Sequence, residues 1–245
     1  MCGRYLISTE EENIEMMRIM AEIYRKYFPE VPQPPQQQQL QTAQQSNSQA
    51  VAAQQEAPMY TNTATAAFKG GEIFPGSLIP VRTAVSQHSY PVDLMRWGFP
   101  PPPKVSSTRS IINARSETLH QKPMFASLIN SNRCIIPANS FYEWDAAKTK
   151  HRIIPQYTSP YQDKSFFYMA GLYRNRQTQS PERNESYVVV LTTDASSQMQ
   201  PIHHRMPVIL TAEFVKIWLS DTPFEEIRRL GLLLPWQYDL NIQTA

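Results

Sequence analysis

Two apolar stretches in the second half of the chain, Phe166-Phe-Tyr-Met-Ala-Gly-Leu-Tyr173 and Tyr187-Val-Val-Val-Leu-Thr192, decide the fold class. Both are rich in β-branched and aromatic residues and have the length of a buried strand, so both predict β-strands. Strands therefore dominate the second half of the chain. Shorter segments of the same character predict strands at residues 3–7, 78–81, 92–97, 110–113, 133–137 and 208–210.

Helical patterns lie near the two ends of the chain. Thr9 and Glu12 form a capping box, and apolar residues with helical spacing follow them. Near the other end, residues 213–219 predict a helix. The run Thr222-Pro-Phe-Glu225 then combines an N-cap, a proline at the first helical position and a capping-box glutamate, and Gly231 ends that helix. With the strands, these helices predict a β-rich α+β domain.

Between residues 29 and 67 the composition changes to proline, glutamine, alanine, serine and threonine without periodicity. Such a segment buries too little apolar surface to offset the entropy of ordering it. It therefore predicts a flexible insertion within a single domain that spans residues 1–240. The segment has two acidic residues and no Lys or Arg, so the rest of the chain has 23 basic against 19 acidic residues (21 less 2), a net charge of +4. This charge permits a local basic groove.

The cysteine content favours a reduced, cytoplasmic setting. Cys2 and Cys134 are the only cysteines, which is too few for a disulfide framework. No apolar stretch reaches the ~18 residues of a membrane span, so we expect no membrane association. The cysteines and histidines show no spacing typical of a metal site, and neither a metal nor another cofactor is expected.

Cys2 has a chemical option that no internal cysteine has. If Met1 is removed, Cys2 carries a free α-amine and a thiol on adjacent carbons. Both groups can close on one aldehyde carbon to give a five-membered thiazolidine ring. The ordinary pKa values of an α-amine and a thiol lie only slightly above neutral, so both groups are partly nucleophilic there. The simpler interpretation is a small residue tolerated at a disordered terminus.

Two stretches in the middle of the chain place polar side chains among apolar ones. Asn113 at the end of a strand is suited to position a carbonyl or an amine, and Arg115 is suited to hold a phosphate. Glu143 lies between Tyr142 and Trp144, which predicts a partly desolvated carboxyl with a raised pKa. Simpler interpretations are a turn-forming Asn beside a solvated Arg, and a strand-end Glu that faces water.

A third stretch, residues 201–207, contains His203, His204 and Arg205. One histidine is suited to proton transfer and Arg205 to holding a phosphate. Adjacent side chains on an extended chain point to opposite faces, so only one of the two histidines is expected at a shared site.

Five motifs follow one another along the chain, and in this order they resemble the SOS response-associated peptidase (SRAP) family. The resemblance covers nearly the whole chain except the glutamine-rich insertion and the last dozen residues. The motifs are Met-Cys-Gly-Arg-Tyr at 1–5, Arg-Trp-Gly-Phe-Pro at 96–100, Asn-Ala-Arg-Ser-Glu-Thr at 113–118, Arg-Cys-Ile-Ile-Pro-Ala and Phe-Tyr-Glu-Trp within 133–144, and His-His-Arg-Met-Pro at 203–207.

The resemblance implies a compact α+β fold with a barrel-like sheet core and peripheral helices. It also implies a reaction in which the mature N-terminal cysteine forms a thiazolidine cross-link with the ring-opened aldehyde of an abasic site in single-stranded DNA. Carried over by position, Cys2 is similar to the nucleophile and Glu143 to the acid/base group. Asn113 is similar to the residue that stabilises the linked sugar, and His203 to the residue that assists the Schiff-base and ring-opening steps.

The same resemblance implies a DNA groove and a partner. The partner is single-stranded DNA with abasic sites, and the protein is expected to be a monomer that associates with the nucleoid when it is bound to DNA. The residues similar to those that line the groove are Arg4, Pro75, Trp97, Arg115 and Arg205.

Two other functions stay open on the sequence. One is a cysteine peptidase with Cys2 as nucleophile, His203 as base and Asn113 as orienting group, for which self-removal of Met1 would be a natural reaction. The other is a non-covalent DNA-binding module in which Cys2 is inert.

Overall fold

The computed structural model describes residues 3–7, 18–19, 22, 70–84, 92–102, 109–156, 166–176 and 185–245. The glutamine-rich insertion and most of the predicted first helix lie outside these residues, although Arg18, Ile19 and Glu22 are helical. The strands are β1 (Arg4–Ile7), β2 (Gly71–Ile73), β3 (Leu78–Thr83), β4 (Val92–Trp97), β5 (Asn113–Arg115), β6 (Arg133–Ala138), β7 (Ser140–Trp144), β8 (Lys150–Pro155), β9 (Phe167–Arg176), β10 (Glu185–Asp194), β11 (Arg205–Pro207), β12 (Ile209–Leu210) and β13 (Leu240–Thr244). The helices are a 3₁₀ helix (Ser116–Gln121), α1 (Pro123–Ala126), α2 (Ala212–Leu219) and α3 (Phe224–Arg229).

Five strands of the larger sheet form a closed ring. β10 pairs with β4, β4 with β3, β3 with β6, β6 with β9, and β9 returns to β10. A closed ring leaves no strand edge unpaired, and its inward side chains form a core. The predicted β-rich α+β fold with a barrel-like core is confirmed. β5 and β11 are attached to β10, and β12 to β9.

A second, five-stranded sheet has the order β13-β8-β7-β1-β2 and is antiparallel throughout. Its inner face carries Tyr5, Phe141 and Ile153, which belong to the same buried cluster as Trp97 and Val190 of the ring. The two sheets therefore share one core, and β1, which follows the start of the chain, packs against it.

The two strands that decide the fold are longer than their apolar stretches. β9 extends to Arg176 and β10 begins at Glu185, and these two residues are paired across the strands. The hydrogen-bonded pairing of β9 with β10 therefore extends both strands beyond their buried residues. Among the described residues, none of the helices has the length and apolarity to cross a membrane.

The predicted start of α3 needs a correction. Pro223, instead of Thr222, occupies the N-cap position, and no side chain of the cap accepts a hydrogen bond there. The first helical N–H, that of Phe224, donates instead to Oδ1 of Asn130 at 3.0 Å. Asn130, which is distant in sequence, therefore caps the helix, and the residues around the start of α3 give no indication of this contact. Gly231 follows the helix with φ 77°, as its predicted stop requires.

Candidate active site

The start of the chain lies against the strand that carries Glu143. β1 runs antiparallel to β7, with Arg4 opposite Tyr142. Because the two strands run in opposite directions, Gly3, which precedes Arg4, lies toward Glu143, which follows Tyr142. Cys2 lies outside the described residues, so the structure describes the approach to it as far as Gly3.

Glu143 is a buried carboxyl, 3% exposed, on the inner face of the five-stranded sheet. Burial raises its pKa, although the charges of the chain's amino terminus and of His204 act in the opposite direction. The prediction of a raised pKa therefore has the right direction. Burial is also the expected cause, but the two neighbouring rings do not supply it, because adjacent strand residues alternate and the rings of Tyr142 and Trp144 contact cations on the outer face. A raised pKa suits this carboxyl to proton donation near neutral pH.

His203 and His204 lie in the connection between β10 and β11. Nδ1 of His203 lies 2.9 Å from the backbone N of Arg205 and 3.2 Å from its carbonyl oxygen, so it either accepts from the N–H or donates to the carbonyl, and the backbone of Arg205 holds the ring in place. The two histidine rings stack, with centroids 4.4 Å apart and planes 25° apart. The expectation that they point to opposite faces is wrong, because residues 201–204 form a turn and a bend instead of extended chain. Both rings therefore lie on the same side of the chain.

Both histidines have a pKa below the ordinary value. Burial lowers the pKa of His203, and the charge of the amino terminus adds to this effect, while the hydrogen bond that the ring donates to the carbonyl of Arg205 opposes it. The charge of His203 is the main cause of the lowered pKa of His204, and Arg115 also contributes. Because His204 in turn influences the pKa of Glu143, the histidines and the carboxyl share one electrostatic environment.

Asn113 is the half-buried first residue of β5 and lies beside Val190 in the parallel pairing with β10. Two residues further along β10, Thr192 has Arg115 on one side and Pro207 of β11 on the other. β10 therefore fixes the strand that carries Asn113 relative to the strand that follows His203.

Trp97 links β1 to the segment that leads into Asn113. Its ring meets the ring of Tyr5 edge-on, with centroids 5.3 Å apart, and its Nε1–H donates to the carbonyl of Ile112 at 3.0 Å. Its side chain is 0% exposed, so it offers no face on which a base could stack. The predicted place of Trp97 in the DNA groove is therefore corrected to a support for the residue before Asn113.

Arg205 is the first residue of β11, and its side chain is 5% exposed. The guanidinium donates to both carboxylate oxygens of Glu117 at 2.9 Å, to Oδ1 of Asp194 at 2.6 Å and to the carbonyl of Thr192 at 2.8 Å. A buried guanidinium that is balanced by two carboxylates is not available to a phosphate. The predicted phosphate contact of Arg205 is therefore corrected: the residue anchors the turn that holds His203.

Substitution Arg205→Met is expected to lower the free energy of unfolding by roughly 1–3 kcal/mol, because it leaves the buried carbonyl of Thr192 without its donor, whereas the carboxylates of Glu117 and Asp194 reach solvent. We expect Arg205→Lys to restore only part of this loss, since an ammonium cannot bridge two carboxylates in the same way. Urea unfolding measures both effects, and affinity for undamaged single-stranded DNA should stay close to that of the wild type. A stable Arg205→Met protein with weakened DNA binding would instead restore the phosphate-contact role.

Three other residues of the predicted groove lie at or near the surface. Arg4 is partly exposed, and its guanidinium carbon lies 4.6 Å from the ring centroid of Phe74 and 4.9 Å from that of Trp144. Pro75 is exposed in the turn between β2 and β3, and Arg115 is exposed at the end of β5. Their contacts with DNA stay a prediction.

Sequence reasoning missed three residues of this region. An extended chain places His204 on the face opposite His203 and so excludes it from the site. The proline on each side of the 202–206 segment, however, indicates a turn. Phe74 stands directly before Pro75, and an aromatic residue in a Pro-Gly turn was a signal for an exposed ring. Lys150 had no local signal, because its place depends on the pairing of β7 with β8.

Within the described ranges, no group of three or more His, Cys, Asp and Glu side chains is arranged to hold a metal ion. Cys134 is fully buried, and burial raises its pKa well above the ordinary value. Its thiol therefore stays protonated and unreactive near neutral pH.

Named relatives of this chain share a large part of its sequence. The abasic site processing protein YoqW of Bacillus subtilis (strain 168) is 40% identical over 150 residues, which are 59% of this chain and 64% of YoqW. The abasic site processing protein HMCES of Xenopus tropicalis is 31% identical over 149 residues, which are 51% of this chain and 44% of HMCES. The match thus spans less than two thirds of the length of either relative.

Solved structures and a family profile complete the comparison. A crystal structure of a Bacteroides thetaiotaomicron protein has a TM-score of 0.59 at 28% identity and covers 71% of this chain and 77% of its own. A Bordetella bronchiseptica protein has the same fold, with a TM-score of 0.63 at 22% identity and coverage of 100% and 99%. The profile described as SOS response associated peptidase (SRAP) matches residues 1–243 and so includes most of the final dozen residues, where β13 lies. This chain belongs to the SRAP family.

Proposed function

We propose that this protein processes abasic sites in single-stranded DNA and that Cys2 forms a thiazolidine with the ring-opened sugar. The observation that carries the proposal is the register of β1 against β7, which places Arg4 opposite Tyr142, the residue before the buried Glu143. The names of YoqW and HMCES as abasic site processing proteins support the same substrate.

The first chemical step joins the amine to the sugar. Removal of Met1 leaves the Cys2 α-amine, which adds to the C1′ aldehyde and forms a carbon–nitrogen bond. The carbinolamine then loses its hydroxyl group as water and becomes a Schiff base. Glu143 donates the proton that this leaving water needs, because burial keeps its carboxyl protonated to a higher pH than an exposed glutamate.

The second step closes the ring. The Cys2 thiolate adds to the same carbon and forms a carbon–sulfur bond, while the electron pair of the C=N bond returns to nitrogen. Neutral His203 accepts the thiol proton at Nε2 while its Nδ1–H donates to the carbonyl of Arg205, and its lowered pKa keeps the ring neutral near neutral pH. Asn113 donates a hydrogen bond to the linked sugar. The balance is the loss of one water, and no oxidant is needed.

Single-stranded DNA reaches this centre over the exposed side chains around it. Arg4 and Arg115 hold backbone phosphates, and Pro75 packs against the sugar at the position where the base is missing. A single strand that lacks a base has neither a pair to break nor a stack to disrupt, so access costs little. Aromatic and basic side chains side by side are typical of such surfaces.

A peptidase is not favoured as the main activity. An acyl transfer needs a thiol and a base but has no use for the α-amine of the same residue. The named relatives are abasic site processing proteins, and the word peptidase enters only with the family description. Self-removal of Met1 stays a prediction.

The proposed function is tested by incubating the protein with a single-stranded oligonucleotide that carries one abasic site. We expect a denaturant-resistant adduct on a denaturing gel, and none with the same oligonucleotide when the base is intact. An equal yield from both oligonucleotides, or no adduct at all while the strand is bound in solution, would contradict a covalent reaction with the sugar.

A further inference from the structure

The outer face of the five-stranded sheet carries a cluster of charged and aromatic side chains beside the candidate active site. Lys150 Nζ lies 2.9 Å from both carboxylate oxygens of Glu72, and Arg4 Nη1 lies 3.1 Å from one of them. The same ammonium is 4.1 Å from the ring centroid of Tyr142. We call Arg4, Glu72, Phe74 and Lys150 the outer-face cluster. It joins β1, β2 and β8 with the turn after β2.

The exposed ring and the two cations of the cluster are suited to a nucleic-acid strand, which carries both bases and phosphates. Phe74 is 43% exposed, and the Arg4 guanidinium lies over its ring. The side chains of Arg4 and Lys150 are 37% and 24% exposed, so both cations reach solvent. Exposed rings next to cations are the features that single-stranded DNA requires: bases stack on the rings and phosphates meet the cations.

Glu72 sets the charge of this surface. Its carboxylate is shared by both cations, so a cluster with two positive charges has a net charge of only +1. Burial alone would raise the pKa of Glu72, but the hydrogen bonds from Lys150 and Arg4 lower it, so the carboxylate stays ionised through the neutral range. A phosphate that binds here must share these cations with a carboxylate already in contact with them.

We propose that the outer-face cluster binds the DNA segment next to the abasic nucleotide, with Lys150 and Arg4 on the phosphates, Phe74 against a base, and Glu72 limiting affinity for undamaged single-stranded DNA. This inference rests on the proposed function for the direction in which the strand continues. The consequence is selectivity. Because the protein binds undamaged single-stranded DNA weakly, it dissociates from intact strands, whereas the covalent step retains it at an abasic site.

The test measures the affinity of full-length protein for an undamaged, fluorescently labelled oligothymidylate over a series of salt concentrations. Glu72→Gln is expected to tighten binding about threefold to tenfold, with a log–log salt slope steeper by about one. Lys150→Ala is expected to weaken binding by a similar factor, with a slope shallower by about one. Phe74→Ala is expected to weaken binding about fivefold or more without a change of slope.

Each variant has a matched control elsewhere in the chain. Glu226→Gln removes a carboxylate that is likewise paired with an arginine, Lys216→Ala removes an exposed ammonium of α2, and Tyr238→Ala removes a ring that is 48% exposed. If a variant and its control change the affinity equally, net charge or general surface chemistry explains the binding, and the inference is overturned. If neither changes the affinity, the outer-face cluster does not contact the DNA, and the inference is likewise overturned. Adduct formation is scored separately on the abasic oligonucleotide. A wild type that gives no adduct contradicts the proposed function, while the salt series still decides the outer-face cluster.

Discussion

Substitution Cys2→Ala is expected to abolish the denaturant-resistant adduct with abasic single-stranded DNA. The variant keeps an N-terminal amine once Met1 is removed, so it still reaches the Schiff base, but it has no thiol to close the ring. A Schiff base hydrolyses on denaturation, so a stable product should appear only when borohydride reduces it. Cys134 cannot substitute for the missing thiol, because it is buried and its pKa is raised.

A second variant isolates the need for adjacent amine and thiol groups. One glycine inserted between Met1 and Cys2 leaves both groups present but places them on different residues. We expect this variant to lose the stable adduct as completely as Cys2→Ala. A retained adduct would contradict the thiazolidine. An ordinary thiol protease would be little affected by the insertion, so a retained proteolytic activity would support the peptidase alternative.

Substitution Glu143→Gln is expected to slow adduct formation about 10²- to 10⁴-fold, which is the usual contribution of a positioned proton donor. The wild-type rate should pass through a maximum with pH. It falls at low pH as the amine, the thiol and His203 become protonated, and it falls at higher pH as Glu143 loses its proton, above the range of an ordinary carboxyl because burial raises its pKa. Single-turnover rates measured across this range should show that Glu143→Gln lacks the high-pH limb.

The same substitution is expected to stabilise the fold at neutral pH. A carboxyl whose pKa is raised on folding contributes stability that is fully present below its unfolded pKa and is lost as the pH rises through its folded pKa. Glutamine is neutral throughout, so the melting temperature of Glu143→Gln should exceed that of the wild type near neutral pH, and the gap should close in acid. A variant that is less stable at neutral pH and keeps its activity would show that Glu143 is structural.

Much of the fold could be predicted because it depends on local apolar patterns. The residues of Val92–Trp97 and of Arg4–Ile7 predict a strand without reference to any partner, and both segments are strands in the structure. β8 and β13 could not be predicted in this way. Residues 150–155 and 240–244 are mixed in polarity, and they become strands because each pairs with the other and β8 with β7.

The sequence indicates the chemistry of the candidate site residues but not their exposure. Motif resemblance drew attention to Trp97 and Arg205, but it assigned both to the DNA surface. Their burial follows from partners far away in sequence: Ile112 for the indole, Glu117 and Asp194 for the guanidinium. The chemistry of a side chain can be read from its residue type, whereas its exposure depends on the tertiary fold.

Peptide mapping of the purified adduct by mass spectrometry shows whether the amine and the thiol of Cys2 both bond to one sugar carbon. We expect a protein that has lost Met1, an adduct mass equal to protein plus oligonucleotide less one water, and an N-terminal peptide whose amine and thiol both resist modifying reagents. An adduct that retains Met1, or one in which the sugar is attached to a lysine or to the thiol alone, would contradict the thiazolidine.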